Sequence, residues 1–182
     1  MLAAALLCLP LGLAQAQTSA LHPAGPSAAA VKAAFLLKFL NYVEWPAQAF
    51  GSADAPYAIG VIGDDTVEAE LQRQAAGHVF NGRAVAVRHF GAEPPTALQV
   101  LYVGAHAERA RAAALLRNER GAALLLVSDA DGALDQGSMI NFRVVDDRVR
   151  FEVALDPVRR AGLQLNSRLL SVAIAVNKGT GQ

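Results

Sequence analysis

The sequence predicts a single layered α/β domain, with a partly parallel sheet, an added antiparallel hairpin and helices on both faces. Apolar strand-like runs alternate with helical segments before residue 120, as expected of parallel βαβ units. Residues 123–127 form a continuous apolar run, which is typical of a strand buried on both faces of a sheet. Residues 139–153 alternate between apolar and polar, which predicts the hairpin.

The hairpin should have a well-defined register. A two-residue turn at Asp146–Asp147 places apolar residues opposite one another. The expected pairs are Val144 with Val149, Phe142 with Phe151, and Ile140 with Val153. Because a slip of one residue would turn this face to water, the register is strongly specified. We therefore expect one whole face of the hairpin to lie in the core.

The first helix is predicted from Ser27, a good N-cap residue, to about Val43. Trp45–Pro46 ends it, because a residue that precedes proline disfavours the helical conformation. Its apolar residues fall on one broad side and Lys38 falls on the other.

The remaining elements follow from similar local signals. Strands are predicted at 57–62, 83–89 and 100–103. Further helices are predicted from an Asp65 cap to Ala76, at about 107–117, from Asp156–Pro157, and over 167–176. We expect the last of these to be well buried, because it is apolar nearly all round.

The composition limits the classes of function. The chain has 182 residues, enough for one domain with a real core. Its 16 basic and 16 acidic side chains balance, so the broad basic field that nucleic acid requires is absent from the sequence. We expect no nucleic-acid partner.

Residues 1–16 resemble a cleaved secretory signal peptide. An apolar run at 2–13 precedes the small-residue cleavage pattern Ala14–Gln15–Ala16. A membrane anchor or a buried helix is the alternative, but the run is too short to span a bilayer. We expect a flexible leader at 17–27 and the folded domain at 28–182. Cys8 lies within the signal, so the mature chain would contain no thiol.

One candidate site lies at the expected carboxyl ends of the parallel strands, where small ligands bind in open α/β sheets. Asp64, His106, Ser128 and Asp129 would meet there. Ser128, Asp129 and His106 are also the ingredients of a catalytic triad. The GxSxG motif is missing, however, and adjacent Ser and Asp side chains point apart. The histidines lack metal-ligand spacing. We therefore expect a protein that is not an enzyme and holds no cofactor or metal.

A second candidate surface lies on the hairpin. The register places Arg143 opposite Arg150, with Glu152 diagonal to the first. Facing like charges need compensation. Either Glu152 bridges them on a solvated face, or an anion or a partner carboxylate lies between the two guanidinium groups. Trp45 is either a lid on the core or, with Glu44, an exposed anchor for a partner.

Several segments together resemble the YfiR-like family. They are KAAFLLKFLNYVEWP (Lys32–Pro46), VSD (Val127–Asp129), GSMI (Gly137–Ile140), VRFEV (Val149–Val153) and AGLQLNSRLLSVA (Ala161–Ala173). The ordered set covers nearly the whole predicted mature chain. The resemblance implies a small periplasmic α/β protein that tends to dimerise and is not known as an enzyme.

The resemblance also implies partners. The best-known pattern in the family is repression of an inner-membrane diguanylate cyclase through its periplasmic domain, and release by an outer-membrane lipoprotein that sequesters the repressor. This chain departs from the family at Leu98, at about the position where a cysteine is usual. Disulfide-based redox sensing is therefore not carried over.

We thus expect a periplasmic, cofactor-free repressor of a membrane signalling enzyme, with Glu44, Trp45, Arg143, Arg150 and Glu152 on its contact surface. The alternative is a periplasmic small-molecule binding protein that uses the carboxyl ends of the strands.

Overall fold

The computed structural model of the protein describes residues 25–90, 98–107 and 123–178. In these residues a mostly parallel eight-stranded sheet is combined with an antiparallel two-stranded sheet and five α-helices. The predicted α/β class is confirmed. The predicted signal at 1–16, most of the leader at 17–27 and the predicted helix at 107–117 beyond its first residue lie outside the described residues.

The helices and strands alternate along much of the chain. The α-helices are α1 (Ala28–Tyr42), α2 (Asp65–Ala75), α3 (Ala133–Gln136), α4 (Leu155–Arg160) and α5 (Ser167–Ser171). The strands are β1 (Val43–Glu44), β2 (Tyr57–Ile62), β3 (Val79–Phe80), β4 (Arg83–His89), β5 (Val100–Val103), β6 (Leu125–Ser128), β7 (Ile140–Val145), β8 (Arg148–Ala154), β9 (Gln164–Leu165) and β10 (Ala175–Asn177). A 3₁₀ turn occupies Ala47–Ala49.

The large sheet has the order β10-β8-β7-β6-β5-β2-β4-β3. From β4 to β7 the neighbouring strands are parallel, β8 is antiparallel to β7, and β10 is parallel to β8. Every residue of β2, β5 and β6 is buried, which explains their unbroken apolar sequences. The predicted strands at 57–62, 83–89 and 100–103 are confirmed.

The hairpin register is confirmed, including the pairing of Phe142 with Phe151. Asp146 and Asp147 have φ of +49° and +56°, as a type I′ turn requires. The expectation that the whole face is buried is wrong at Val144, which is 65% exposed. The aromatic rings of α1 cover Phe142, whereas Val144 only borders an open groove beside the start of that helix.

Helix α1 packs its apolar side on the sheet. The Ser27 hydroxyl accepts a hydrogen bond from the backbone N–H of Ala30 at 3.1 Å, which confirms the predicted cap. Phe39 stacks on Phe142 at a centroid distance of 6.0 Å and is fully buried. Lys38 is exposed, as predicted. Helix α1 therefore packs on the face of the sheet that carries the aromatic residues of the hairpin.

Two predicted helix starts shift by one or two residues. The cap of α2 is Asp64 and not Asp65, because the Asp64 carboxylate accepts from the backbone N–H of Val67 at 3.1 Å. Asp64 has φ of −154° and ψ of 85°, a non-helical conformation as an N-cap residue requires. Helix α4 begins at Leu155, so Pro157 lies third and still within the first turn, where no N–H is needed.

The prediction of a buried helix over 167–176 is wrong. Helix α5 ends at Ser171, and the chain continues as the edge strand β10, whose Val176 lies beside Val153 of β8. Val172 and Ile174 are 57% and 46% exposed. In this segment β-branched residues alternate with alanine, and a period of two with β-branching favours a strand.

Candidate functional site

The carboxyl ends of β2, β5 and β6 lie side by side at the same end of the sheet, because these strands are parallel neighbours. Asp64 follows β2, Asp129 follows β6, and Tyr102 lies on β5 between them. The Lys32 side chain, from α1, extends to these strand ends. We call Lys32, Asp64, Tyr102 and Asp129 the strand-end network. The sequence analysis identified the two aspartates but missed the lysine and the tyrosine.

The strand-end network is bound together by its own polar groups. The Lys32 ammonium forms a short ion pair with Asp129, and both side chains are only 13% exposed. Its Nζ also lies 3.5 Å from the Tyr102 hydroxyl. That hydroxyl donates to Asp64 at 3.3 Å, and Asp129 accepts from the backbone N–H of Ala105 at 2.6 Å. The network therefore joins α1 to the ends of three strands.

Tyr102 acts in this network as a neutral donor. Burial raises the pKa of its hydroxyl far above the ordinary value, and the negative charges of Asp129 and Asp64 raise the pKa further. The hydroxyl therefore stays protonated at neutral pH and is no nucleophile or general base under those conditions.

Ser128 and His106 do not complete a catalytic arrangement. The Ser128 hydroxyl is buried, donates to the carbonyl oxygen of Val103 at 2.8 Å and accepts from the backbone N–H of Ala130 at 3.2 Å. It therefore stabilises the turn after β6. His106 is exposed, and in the part of the chain that the structure describes no hydrogen bond joins it to Ser128 or Asp129.

Tight loop packing closes the space near Asp64. Gly63 has a φ of +73°, and a Cβ atom there would lie 2.6 Å from the backbone nitrogen of Ala107. A Cβ atom on Gly104 would lie 2.8 Å from the carbonyl oxygen of Gly63. These glycines let the loops after β2 and β5 touch. A Cβ atom on Gly60 would likewise lie 2.6 Å from Cδ1 of Leu98, so packing explains both glycines of the sequence GVIG at 60–63.

Space remains on the other side of the strand-end network, between β6 and β7. A cavity of about 240 Å³ is lined by Lys32, Asp129, Asp131, Phe142, Arg143 and Val144. Of the four residues predicted to form a ligand pocket, only Asp129 lines this cavity. It also includes Arg143, which the sequence assigned to the hairpin surface. The two predicted sites therefore meet here.

The facing arginines of the hairpin are found in the expected register, with Arg143 opposite Arg150. Arg143 donates to Asp131 at 2.7 Å, in a pair exposed to solvent. Glu152 lies opposite Asn141 and forms no ion pair with either arginine among the described residues. The alternative in which Glu152 bridges the arginines is therefore wrong, because Arg143 forms its ion pair with Asp131 of the preceding loop.

Beyond Arg143 lies an exposed apolar area that the sequence analysis missed. We call it the hairpin-edge surface, and it consists of Val145, Arg148, Arg150, Val172 and Ile174. It joins the tip of the hairpin to the start of β10. All of these residues also line an open groove of about 560 Å³, and Arg148 and Arg150 are both exposed. Large exposed valine and isoleucine side chains at adjoining positions are typical of an interaction surface.

Trp45 lies at the opposite end of the strands, near the amino ends of β2 and β5. Its indole N–H donates to the carbonyl oxygen of Gln99 at 3.1 Å, and its ring packs edge-on against Tyr57 at 5.4 Å. It is half-buried, which favours the lid interpretation. Glu44 is exposed beside it and pairs with Gln164 in the two-stranded sheet. Neither residue adjoins the hairpin-edge surface.

A third group of polar side chains was not expected from the sequence. The ligand atoms of Asp65, Glu68 and His89 lie within 4.8 Å of one another. Spacing within one helix could not reveal this group, because the histidine comes from β4. The signal was available in the predicted βαβ unit, which places the end of one strand beside the start of the helix.

The sequence is similar to one family over most of its length. The family model described as YfiR/HmsC-like matches residues 29–174, and the chain belongs to this family. Membership indicates a periplasmic regulator of diguanylate cyclase signalling, in a family that is regulatory and not catalytic. None of the helices that the structure describes combines the length and apolar character needed to cross a bilayer.

Proposed function

Since the chain belongs to the YfiR/HmsC-like family, we propose that it represses a membrane-bound diguanylate cyclase by direct contact with the periplasmic domain of that enzyme. Repression would need no chemical step in this protein. The polar residues at the strand ends support this, because Ser128 and Tyr102 are engaged in internal hydrogen bonds and are not presented to a substrate.

The observation that carries the proposal is the hairpin-edge surface. Val145 is 42% exposed, Val172 is 57% exposed and Ile174 is 46% exposed. Together they offer an apolar centre with Arg148 and Arg150 beside it. In the described part of the chain neither arginine forms an ion pair, so both are available to carboxylates of a partner.

The open edge of the sheet adds a second means of contact. In the described residues β10 ends the sheet and pairs only with β8, so its outer backbone groups have no strand partner. An edge of this kind can accept a strand from another chain. We propose that the cyclase domain buries this edge together with the valine and isoleucine side chains.

The other expected partners and the location are part of the same proposal. The protein would be exported through a cleaved signal at 1–16 and would work as a homodimer. An outer-membrane lipoprotein would relieve repression by sequestering it. Sequencing the amino terminus of the protein from the periplasmic fraction tests the export step, and a start near residue 17 is expected.

A complementation experiment tests repression. Deleting the gene should raise cyclic di-GMP in a strain that carries the cognate cyclase, and the wild-type chain should restore the low level. The double variant Val172→Asp, Ile174→Asp should fail to restore it, because two buried carboxylates would oppose the contact. Val79→Asp is the matched control, since Val79 is 64% exposed on β3 at the far edge of the sheet.

The result depends on equal amounts of folded protein, which circular dichroism and immunoblotting of the periplasmic fraction would establish. Full repression by the double variant would exclude the hairpin-edge surface as the contact. An unchanged cyclic di-GMP level after deletion of the gene would contradict repression itself.

The cavity beside Asp129 favours a second candidate function, the binding of a small molecule. Its volume is about 240 Å³, and its lining carries two cationic and two anionic side chains, Lys32, Arg143, Asp129 and Asp131, which would suit a compact ligand that carries both charges, such as an amino acid. A thermal-shift screen with amino acids and nucleotides tests this. A ligand that raises the melting temperature of the wild type but not of Arg143→Gln would support it. The absence of any shift across the screen would count against it.

A further inference from the structure

The group formed by Asp65, Glu68 and His89 lies apart from the surfaces considered above. Asp65 and Glu68 are three residues apart in the first turns of α2, so both project from the same side of the helix. His89 is the last residue of β4 and lies beside Val61 of the parallel strand β2, immediately before the loop that leads into α2. The βαβ connection therefore brings the three side chains together.

The central ligand of this group is held in position. Glu68 has a side chain only 13% exposed, and its Oε1 accepts from the Gln72 side-chain amide at 3.0 Å. Its Oε2 lies 2.6 Å from Nδ1 of His89. Gln72 thus orients the carboxylate from outside, in the way that outer partners orient metal ligands.

The group carries an excess of negative charge. Among the described residues, Asp65 and Glu68 form no ion pair with a lysine or arginine, and His89 is the one basic partner of Glu68. Arg88 precedes His89 on the strand and therefore points to the opposite face of the sheet.

We propose that Asp65, Glu68 and His89 form a Zn²⁺ site, with the fourth position of a tetrahedron open to water. An imidazole with two carboxylates is a ligand set that suits Zn²⁺ better than Mg²⁺ or Ca²⁺, which prefer oxygen alone. Ligand atoms at about 2.0–2.2 Å from zinc lie roughly 3.3 Å apart. The observed ligand atoms, within 4.8 Å of one another, need only small side-chain rotations to reach that spacing.

Zinc would take the place of the direct contact between His89 and Glu68. The distance between Nδ1 of His89 and Oε2 of Glu68 is 2.6 Å and would have to increase to roughly 3.3 Å, which requires less than about 1 Å of movement. His89 is largely exposed at 57%, so its ring has room to rotate. The ion would tie the first turn of α2 to the end of β4 and so stabilise this edge of the sheet.

Isothermal titration calorimetry of the untagged mature protein with ZnCl₂ tests the proposal. One ion should bind per chain, and MgCl₂ at the same concentration should give no comparable heat. His89→Gln and Glu68→Gln should each weaken binding by at least about tenfold. Gln72→Ala should weaken binding by about tenfold, the low end of the 10–100-fold range typical of changes outside the ligand sphere, and by less than either ligand variant.

His78→Gln is the matched control. His78 is an exposed histidine just beyond α2, where its Nδ1 lies 3.0 Å from the carbonyl oxygen of Ala76. This variant should bind zinc like the wild type. Circular dichroism of each metal-free variant establishes that it is folded, and Co²⁺ provides a second readout through the visible absorption of a tetrahedral complex. Absence of zinc binding by the wild type would overturn the proposal, as would unchanged binding by His89→Gln or an equal loss in His78→Gln.

Discussion

Removing the ammonium group of Lys32 should cost the protein a large part of its stability. The Lys32–Asp129 pair has 13% exposure on each side chain, so its charges are poorly solvated. In Lys32→Met the Asp129 carboxylate keeps the N–H of Ala105 but loses its ionic partner. Breaking a fully buried pair costs about 3–5 kcal/mol, and partial exposure reduces this to about 2–3 kcal/mol.

Urea denaturation followed by circular dichroism measures this effect. With an m value of about 2 kcal/mol/M, the midpoint should fall by about 1 M or slightly more. Lys38→Met is the matched control, because Lys38 lies exposed on the other side of α1 and should change stability by less than about 0.5 kcal/mol. In Lys32→Met, Asp129→Asn the loss should be smaller than the sum of the single losses. A fall of less than about 0.5 kcal/mol in Lys32→Met would refute the reasoning that this pair is strongly coupled.

Three further changes should have defined effects. The raised pKa of Tyr102 means that its contribution to stability is fully present below about pH 10 and is lost above it, by up to about 1.4 kcal/mol per pH unit. Urea unfolding at pH 8.5–11 should therefore show a shallower decline of stability with pH in Tyr102→Phe than in the wild type, and an equal decline would contradict the raised pKa. Gly63→Ala should destabilise by more than about 2 kcal/mol, whereas Gly77→Ala, with a similar φ of +72° but open space around it, should cost only about 1 kcal/mol in the same assay. Asp147→Gly should raise the thermal midpoint, with a gain of about 0.5–1 kcal/mol, because φ is +56° there; a lower midpoint would contradict the type I′ assignment.

The elements that could be predicted from the sequence are those determined by local signals. The hairpin follows from alternation and a two-residue turn, and both are contained within a short stretch of the chain. Strand β3 was missed, because Val79–Phe80 is too short to show a period. The Asn81–Gly82 turn has φ of +47° and +78°, the geometry that such a dipeptide favours in a hairpin.

The end of the chain could not be predicted in the same way. Leu169 and Leu170 favour a helix, and they lie in α5 as expected. The next residues become a strand only because β8 offers a parallel edge, and that edge depends on the hairpin register some 25 residues earlier. A propensity argument confined to the segment cannot include this pairing. The exposed Val172 and Ile174 were missed for the same reason.

The candidate sites were predictable where strand topology alone determines them. Asp64 and Asp129 follow parallel strands, so it could be inferred that they lie at the same end of the sheet. Lys32 could not be assigned to these strand ends without knowing how α1 lies across the sheet. His89 was likewise dismissed as a ligand, because the search considered spacing along one helix and not the contact between a strand end and a helix start.

The distribution of charge supports a role for the surface rather than for the strand ends. Lys32 and Asp129 are paired with each other, and Asp64 caps α2, so these groups are used to stabilise the fold. Arg148 and Arg150 have no ion pair among the described residues and adjoin exposed apolar side chains. Two unpaired guanidinium groups beside apolar side chains on an open sheet edge do nothing evident for the stability of the monomer. They are available for contact with another molecule that brings carboxylates and apolar area, which is what the proposed repression by contact requires.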